Sequence, residues 1–315
     1  MSNSRETHPD RWKPWYRWGV KLARWAVVYY LGILLFLSIM QREMLYVPSH
    51  VPQLPISEAG GLPGSGEEIV LQTADGLQLH GWHLLPQPLT AANAGEFDHH
   101  LATGKKVLLF FHGNGGHRGH RDFDYQVLTR LGVHVFAFDY RGYGENRGKP
   151  TEENFAADAR DMWKYVTETR RVEPERIILY GESLGGGVAT RLAAELCTAG
   201  TSPGGLILRS TFSSMIDAAG YHYPWLPVSW ILKDTYRSDL TIPRMTAPLL
   251  MLHGARDDVI PMWLGMKLFN LALPRSANGI SKTFVELKRA GHNDVLLADP
   301  AMFEEGIKKF LQSLP

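Results

Sequence analysis

The sequence predicts an α/β fold: a mostly parallel central sheet flanked by helices, with a short lid-like insertion and an N-terminal membrane helix. Three observations carry this. From Val107 onward, short apolar runs alternate with longer stretches of helical period, the pattern of strand–helix–strand units. Between residues 211 and 245 the alternation breaks into an aromatic, proline-rich excursion. Ahead of both, Trp25–Gln41 runs for seventeen residues without a charge, at the short end of what crosses a bilayer.

Bulk composition bounds the rest. The 315 residues are 44% hydrophobic and 21% charged, which describes a globular chain with a sizeable core. A net charge of +1 gives no electrostatic reason to expect nucleic acid as a partner. The single cysteine, Cys197, excludes an internal disulfide and a cysteine zinc cage.

Taken in order, residues 1–24 form a basic, aromatic segment with Arg5, Arg11, Lys13, Arg17, Lys21 and Arg24 among Trp12, Trp15, Tyr16 and Trp18. Aromatic and basic residues at the entrance of an uncharged run suit a membrane interface. Residues 25–41 therefore read as a transmembrane anchor. A cleavable signal peptide needs a small-residue site that Ser38-Ile39-Met40-Gln41 does not offer, and a soluble core helix needs an amphipathic pattern that is missing. Residues 42–66, rich in proline and glycine, read as a linker to a globular domain over 67–315.

Within that domain, Glu68–Gln72 and Leu77–Leu85 flank Ala74-Asp75-Gly76 as a hairpin, and Pro86–Gly104 reads as a polar loop. Strands follow at Val107–Phe111, Val133–Phe138, Ile177–Tyr180, Leu206–Leu208, Leu249–Leu252 and Thr283–Leu287. Helices are expected near Arg121–Leu131, Thr151–Thr169, Ser183–Cys197, Met262–Leu271 and Pro300–Leu314. The 211–245 excursion is read as a lid over an apolar pocket, with a packed surface loop as the alternative.

Chemistry concentrates at Gly181-Glu-Ser-Leu-Gly185, a G-x-S-x-G run lying between a strand and a helix. That context is a sharp turn that lifts the Ser183 hydroxyl above the sheet. Gly181 and Gly185 let its backbone crowd its neighbours. The phosphate-cradle reading fails, since neither G-x-G-x-x-G nor a terminal Gly-Lys-Ser/Thr is present. A serine needs a base, and the base a third group that orients it. Asp257 and Asp258 both directly follow the strand Leu249–Leu252, and His292 follows Thr283–Leu287. The backbone amide of Leu184, at a helix start, and that of Asn114, with Gly115 second, are the candidate oxyanion donors. His112, His117 and His120 lack a carboxylate pattern that would complete a metal site. No metal or organic cofactor is called for.

From about residue 67 onward the chain resembles the α/β-hydrolase superfamily, in particular membrane-anchored serine hydrolases that include protein depalmitoylases, lysophospholipid lipases and bacterial relatives. The matching blocks are Phe111-His-Gly-Asn114, Asp139-Tyr-Arg-Gly-Tyr-Gly144 with Gly148-Lys-Pro-Thr151, Gly181-Glu-Ser-Leu-Gly-Gly186, His253-Gly-x-x-Asp-x-x-Ile-Pro261 and Gly291-His-Asn-Asp294. The resemblance implies an α/β-hydrolase fold with Ser183 as nucleophile, Asp257 rather than Asp258 as orienting acid, and His292 as base. It implies hydrolysis of esters or thioesters, and within the family Arg141 would brace its loop rather than touch substrate. The cysteine cluster that anchors the depalmitoylases is absent, and the apolar run takes that place. The excursion beside an anchor suggests acyl or lipid-like substrates. A non-catalytic binding module or an acyltransferase on the same fold is the alternative class. Six basic residues in 1–24 against only Arg42 in 41–60 place the N-terminus in the cytoplasm and the domain on the periplasmic or extracytoplasmic side.

Overall fold

A computed structural model of the chain describes residues 13–315; Arg5, Arg11 and Trp12 lie outside the described residues. The first element, α1, runs from Lys13 to Leu45, well beyond the uncharged run in both directions. Lys21, Arg24 and Arg42 are straight-chain residues that lose little rotamer freedom in a helix, so charge ends the apolar run without ending the helix. By length and composition, Trp15–Leu45 is able to cross a membrane, and its apolar window is unburied.

Residues 42–66 are less a free linker than a strap. After Leu45 the chain forms β1 (Val47–Pro48), then a single 3-10 turn at Ile56–Ala59. Next come the antiparallel pair β2 (Gly66–Gln72) and β3 (Gln78–Leu84), as the hairpin pattern predicts. The expected polar loop 86–104 instead contains α2, Ala94–Thr103. Its signal lies in Asn93-x-x-Glu96: Asn93 caps the Glu96 amide, and Glu96 reaches back to the Ala92 amide at 2.9 Å. Phe97 and Leu101 then bury one turn apart.

The remaining strands are β4 (Val107–Phe111), β5 (Gly115–Gly116), β6 (His134–Phe138), β7 (Ile177–Glu182), β8 (Gly205–Arg209), β9 (Leu249–Gly254) and β10 (Thr283–Leu287). The helices are α3 (Asp122–Arg130), α4 (Glu152–Lys164), α5 (Leu184–Thr198), α6 (Met215–His222), α7 (Val228–Ile231), α8 (Ser238–Thr241), α9 (Met262–Leu271), α10 (Val295–Ala298) and α11 (Pro300–Ser313). Eight strands form one sheet in the order β10-β9-β8-β7-β4-β6-β3-β2, and β1 pairs with β5 apart from it. From β6 to β10 every neighbour is parallel; β3 and β2 run antiparallel at the other edge.

The sheet is covered on both faces, which is why β4, β6, β8 and β9 are buried end to end and mostly apolar. Leu109, Leu179 and Leu208 point to one face, with side chains of α4, α5 and α9. Leu108, Ile178 and Ile207 point to the other, with those of α3 and α11. Burying a side chain of this size is worth about 1.5–3 kcal/mol. A polar substitution on any central strand has no solvated face to turn toward. The loops after β4, β7, β9 and β10 therefore meet at one sheet end, where open α/β sheets place their ligands.

Candidate active site

The turn after β7 is sharp. Ser183 sits at φ 51° and ψ −115°, a backbone state that costs a non-glycine residue about 1–3 kcal/mol and persists only where neighbours enforce it. Here they do: the Ser183 amide donates to Arg209 O at 2.8 Å, and the Ser183 carbonyl accepts from Gly186 N at 2.9 Å and Thr211 Oγ1 at 2.8 Å. The flanking glycines are required by space. A Cβ on Gly185 would lie 2.2 Å from Phe111 O, and one on Gly181 would lie 2.5 Å from Gly186 Cα.

The structure brings Ser183, His292 and Asp257 together from three separate loops. Ser183 Oγ is 3.0 Å from His292 Nε2, and His292 Nδ1 is 2.8 Å from Asp257 Oδ2. A carboxylate only accepts, so Nδ1 carries the proton and Nε2 faces the serine with its lone pair. Asp257 Oδ1 accepts from the Val259 amide at 3.0 Å and the Ile260 amide at 2.7 Å. Those two bonds give the D-x-x-I-P spacing its physical meaning. Asp258 is exposed, whereas Asp257 is buried. Burial alone would raise the Asp257 carboxyl, but hydrogen bonds from His253 and His292 hold it down, at about 2.

Leu184 and Asn114 both line the same cavity as Ser183. Among the described residues, neither backbone amide donates to a protein acceptor. The Asn114 side chain is fully employed elsewhere. Its Nδ2 donates to Leu45 O at the end of α1, while its Oδ1 accepts from Tyr143 Oη at 2.9 Å. Next to it, Val47 of β1 pairs with Gly115 of β5. Helix α1 thus ends directly on the loop that carries Asn114.

Beneath the serine lies a charged group that the sequence reading missed. Glu182 is held by Arg121 Nε at 2.8 Å and Arg209 Nη2 at 3.0 Å, and accepts from the Gly113 amide at 3.2 Å. Burial opposes its ionisation, but the two guanidiniums win and keep the carboxyl well below its ordinary range. Glu182 thereby ties the turn after β7 to the loop after β4. Its position inside G-x-S-x-G was visible; its partners, 61 and 27 residues away in the chain, were not. His253 is the second omission. Its Nε2 lies 3.3 Å from Asp257 Oδ2 and 2.8 Å from Ile260 O.

Other candidates fall outside this constellation. Arg141 is clasped by Asp158 at 2.6 Å and Asp75 at 2.8 Å, a brace for its loop as the resemblance implied. His112 points at Asp139 and Gly113 O, and His117 stacks on His120 at 4.0 Å. Among the described residues no cluster of metal-ligating side chains forms.

The cavity has a volume of about 860 Å³ and is mostly apolar. Its walls come from three sources: Leu37, Met44 and Leu45 of α1; Met215, Leu226 and Ile231 of the 211–245 excursion; and the loops bearing Ser183 and His292. The excursion folds as α6, α7 and α8, and residues of α6 and α7 line the cavity.

Strand order, covered sheet and a serine on a strained strand-to-helix turn define an α/β hydrolase. The serine aminopeptidase S33 family matches residues 102–238. The uncharacterized protein Rv2307c of Mycobacterium tuberculosis is 35% identical over 280 residues, 89% of this chain and 90% of that protein. Lysophosphatidylserine lipase ABHD12 of Danio rerio is 35% identical over 235 residues, 68% of this chain and 61% of that protein, so this chain spans about three fifths of the lipase. Among solved structures, an alpha-beta hydrolase of Vibrio vulnificus aligns with TM-score 0.61 at 22% identity, over 79% of this chain and 81% of its own. A Pyrococcus furiosus esterase aligns with TM-score 0.61 at 16% identity, over 86% and 98%. The chain belongs to the α/β-hydrolase superfamily, among its serine hydrolases.

Proposed function

We propose that this protein is a membrane-anchored serine hydrolase that cleaves carboxylic ester or thioester bonds of acyl, lipid-like substrates. The observation that carries the reading is the Ser183 Oγ to His292 Nε2 approach of 3.0 Å, with Asp257 2.8 Å behind the ring. His292 takes the Ser183 proton as Oγ attacks the carbonyl carbon, and Asp257 stabilises the imidazolium. The Leu184 and Asn114 amides donate to the oxyanion, at a helix start that favours negative charge. As the tetrahedral centre collapses, His292 returns the proton to the leaving alcohol or thiol. Water then repeats the sequence on the acyl-enzyme and releases the acid. None of these steps calls for a metal or organic cofactor.

The apolar cavity and the lysophosphatidylserine lipase relative support an acyl substrate. Helix α1 would be the anchor, with the N-terminus cytoplasmic and the catalytic domain on the other side.

Ser183→Ala is the direct test. The expected result is loss of p-nitrophenyl ester hydrolysis by about a thousandfold or more, together with loss of fluorophosphonate labelling. The melting temperature should stay within about 2 °C, because only a hydroxyl is removed. Activity within about tenfold of the wild type would sink the assignment.

A further inference from the structure

Two stretches of this chain carry no lysine, arginine, aspartate or glutamate and run side by side: Trp25–Gln41 of α1, and Tyr221–Leu232 of the lid. Their charge boundaries coincide in space. Gln41 donates to Ile231 O at 2.8 Å and accepts from the Lys233 amide at 2.7 Å. One residue further, Arg42 pairs with Asp234 at 2.8 Å. From that level the lid follows the helix away from the domain, as far as Tyr30, whose hydroxyl donates to Trp225 O at 3.0 Å. Eleven residues of helix separate Tyr30 from Gln41, ~16 Å, close to half the ~30 Å thickness of a hydrocarbon core.

The lid strip has the character of a segment that meets lipid. Trp230 is 87% exposed and Trp225 is 58% exposed, beside the unburied apolar surface of α1. Its backbone is largely satisfied from within. The amides of Tyr223, Leu226, Val228, Trp230 and Leu232 all donate to carbonyls of residues 219–228, and Pro224 and Pro227 have no amide hydrogen to satisfy. Hydrocarbon demands this economy, since it offers no hydrogen-bond partners. Two unrelated segments reaching their first charges at one level is what a membrane surface passing through that level would produce.

The cavity crosses the same level. Leu37, one helical turn or ~6 Å on the far side of Gln41, lines it together with Leu226 and Ile231. Resting on the membrane-anchored reading above, we propose that the lid strip Tyr221–Leu232 is embedded in the leaflet beside α1. The gap between helix and lid is then a lateral portal through which a lipid acyl chain enters from the bilayer. The substrate class that follows is a leaflet-resident amphiphile whose ester lies at the membrane surface while its tail stays in hydrocarbon.

Depth measurement tests this on the full chain in phosphatidylcholine vesicles. With Cys197→Ser as background, nitroxide labels are placed by Trp230→Cys and, as an aqueous reference, by Val70→Cys on β2, which is 47% exposed. The expected pattern is collision with oxygen favoured over a water-soluble nickel chelate at 230, and the reverse at 70. Equal nickel access at both positions would overturn the proposal, whether the strip faces water or a protein partner. A second readout does not depend on labelling. Trp230→Glu should cut hydrolysis of a vesicle-borne lysophospholipid by at least about tenfold, as a charge is excluded from hydrocarbon, and leave p-nitrophenyl acetate hydrolysis within about twofold. Equal effects on both substrates would also overturn it. Fluorophosphonate labelling of Ser183 in the same vesicles reports separately on the hydrolase reading.

Discussion

At the scale of single residues, the informative contrast is Asp257 against Asp258. Both follow β9, and nothing in their own chemistry separates them. The fold does: Asp257 turns inward to His292 and to the Val259 and Ile260 amides, while Asp258 faces solvent. Asp257→Asn should reduce kcat by about a thousandfold or more, because an amide presents a donor that can hold the imidazole in the wrong tautomer. Asp258→Asn should stay within about twofold; steady-state kinetics on a soluble ester, run on both variants, ranks them. The low carboxyl pKa fixes the accompanying linkage. Held at about 2 in the folded chain against about 3.9 unfolded, Asp257 adds stability that is complete above the unfolded value. That stability is lost as pH falls through the folded one. Ser183 and His292 were legible because strand ends, a glycine turn and chain order all pointed at them. Glu182 was not, because its charge partners lie 61 and 27 residues away in the chain; His253, by contrast, meets Asp257 and Ile260 only four and seven residues on.

At the scale of elements, helix α1 and the Asn114 loop behave as one unit. Tyr46 is buried at the core edge, where it bonds Tyr236 at 2.8 Å and packs on Phe155. Leu45 O receives the Asn114 side chain, and β1 runs parallel to β5. An anchor that served only as a tether would need none of this. Asn114→Ala removes the link to Leu45 and Tyr143, each bond worth about 1 kcal/mol, but leaves the backbone amide in place. The expected outcome is about a tenfold lower kcat on a short ester with KM little changed, and a lower melting temperature. A wild-type kcat would mean that the loop holds its shape without the helix. The missed α2 makes a related point. Its Asn93-x-x-Glu96 box was readable, although the stretch 86–104 reads as a polar loop by composition.

At the scale of the whole molecule, charge asymmetry sets the expected topology. Basic residues crowd residues 1–24, and only Arg42 follows within 41–60. The C-terminal domain should therefore lie across the membrane from the N-terminus. A phosphatase that matures only after export, fused after Pro315, should be active; an inactive fusion paired with a fluorescent cytoplasmic reporter would reverse the orientation without touching the chemistry. The sequence by itself determined the parallel sheet, because strands buried on both faces must be largely apolar. It also determined the serine turn, because only glycine fits where a Cβ would strike a backbone carbonyl. Only the tertiary structure decided what neutralises Glu182 and that α1 walls the cavity. Those are contacts between segments tens to hundreds of residues apart, and local pattern carries no information about which distant side chain fills the other half of a hydrogen bond.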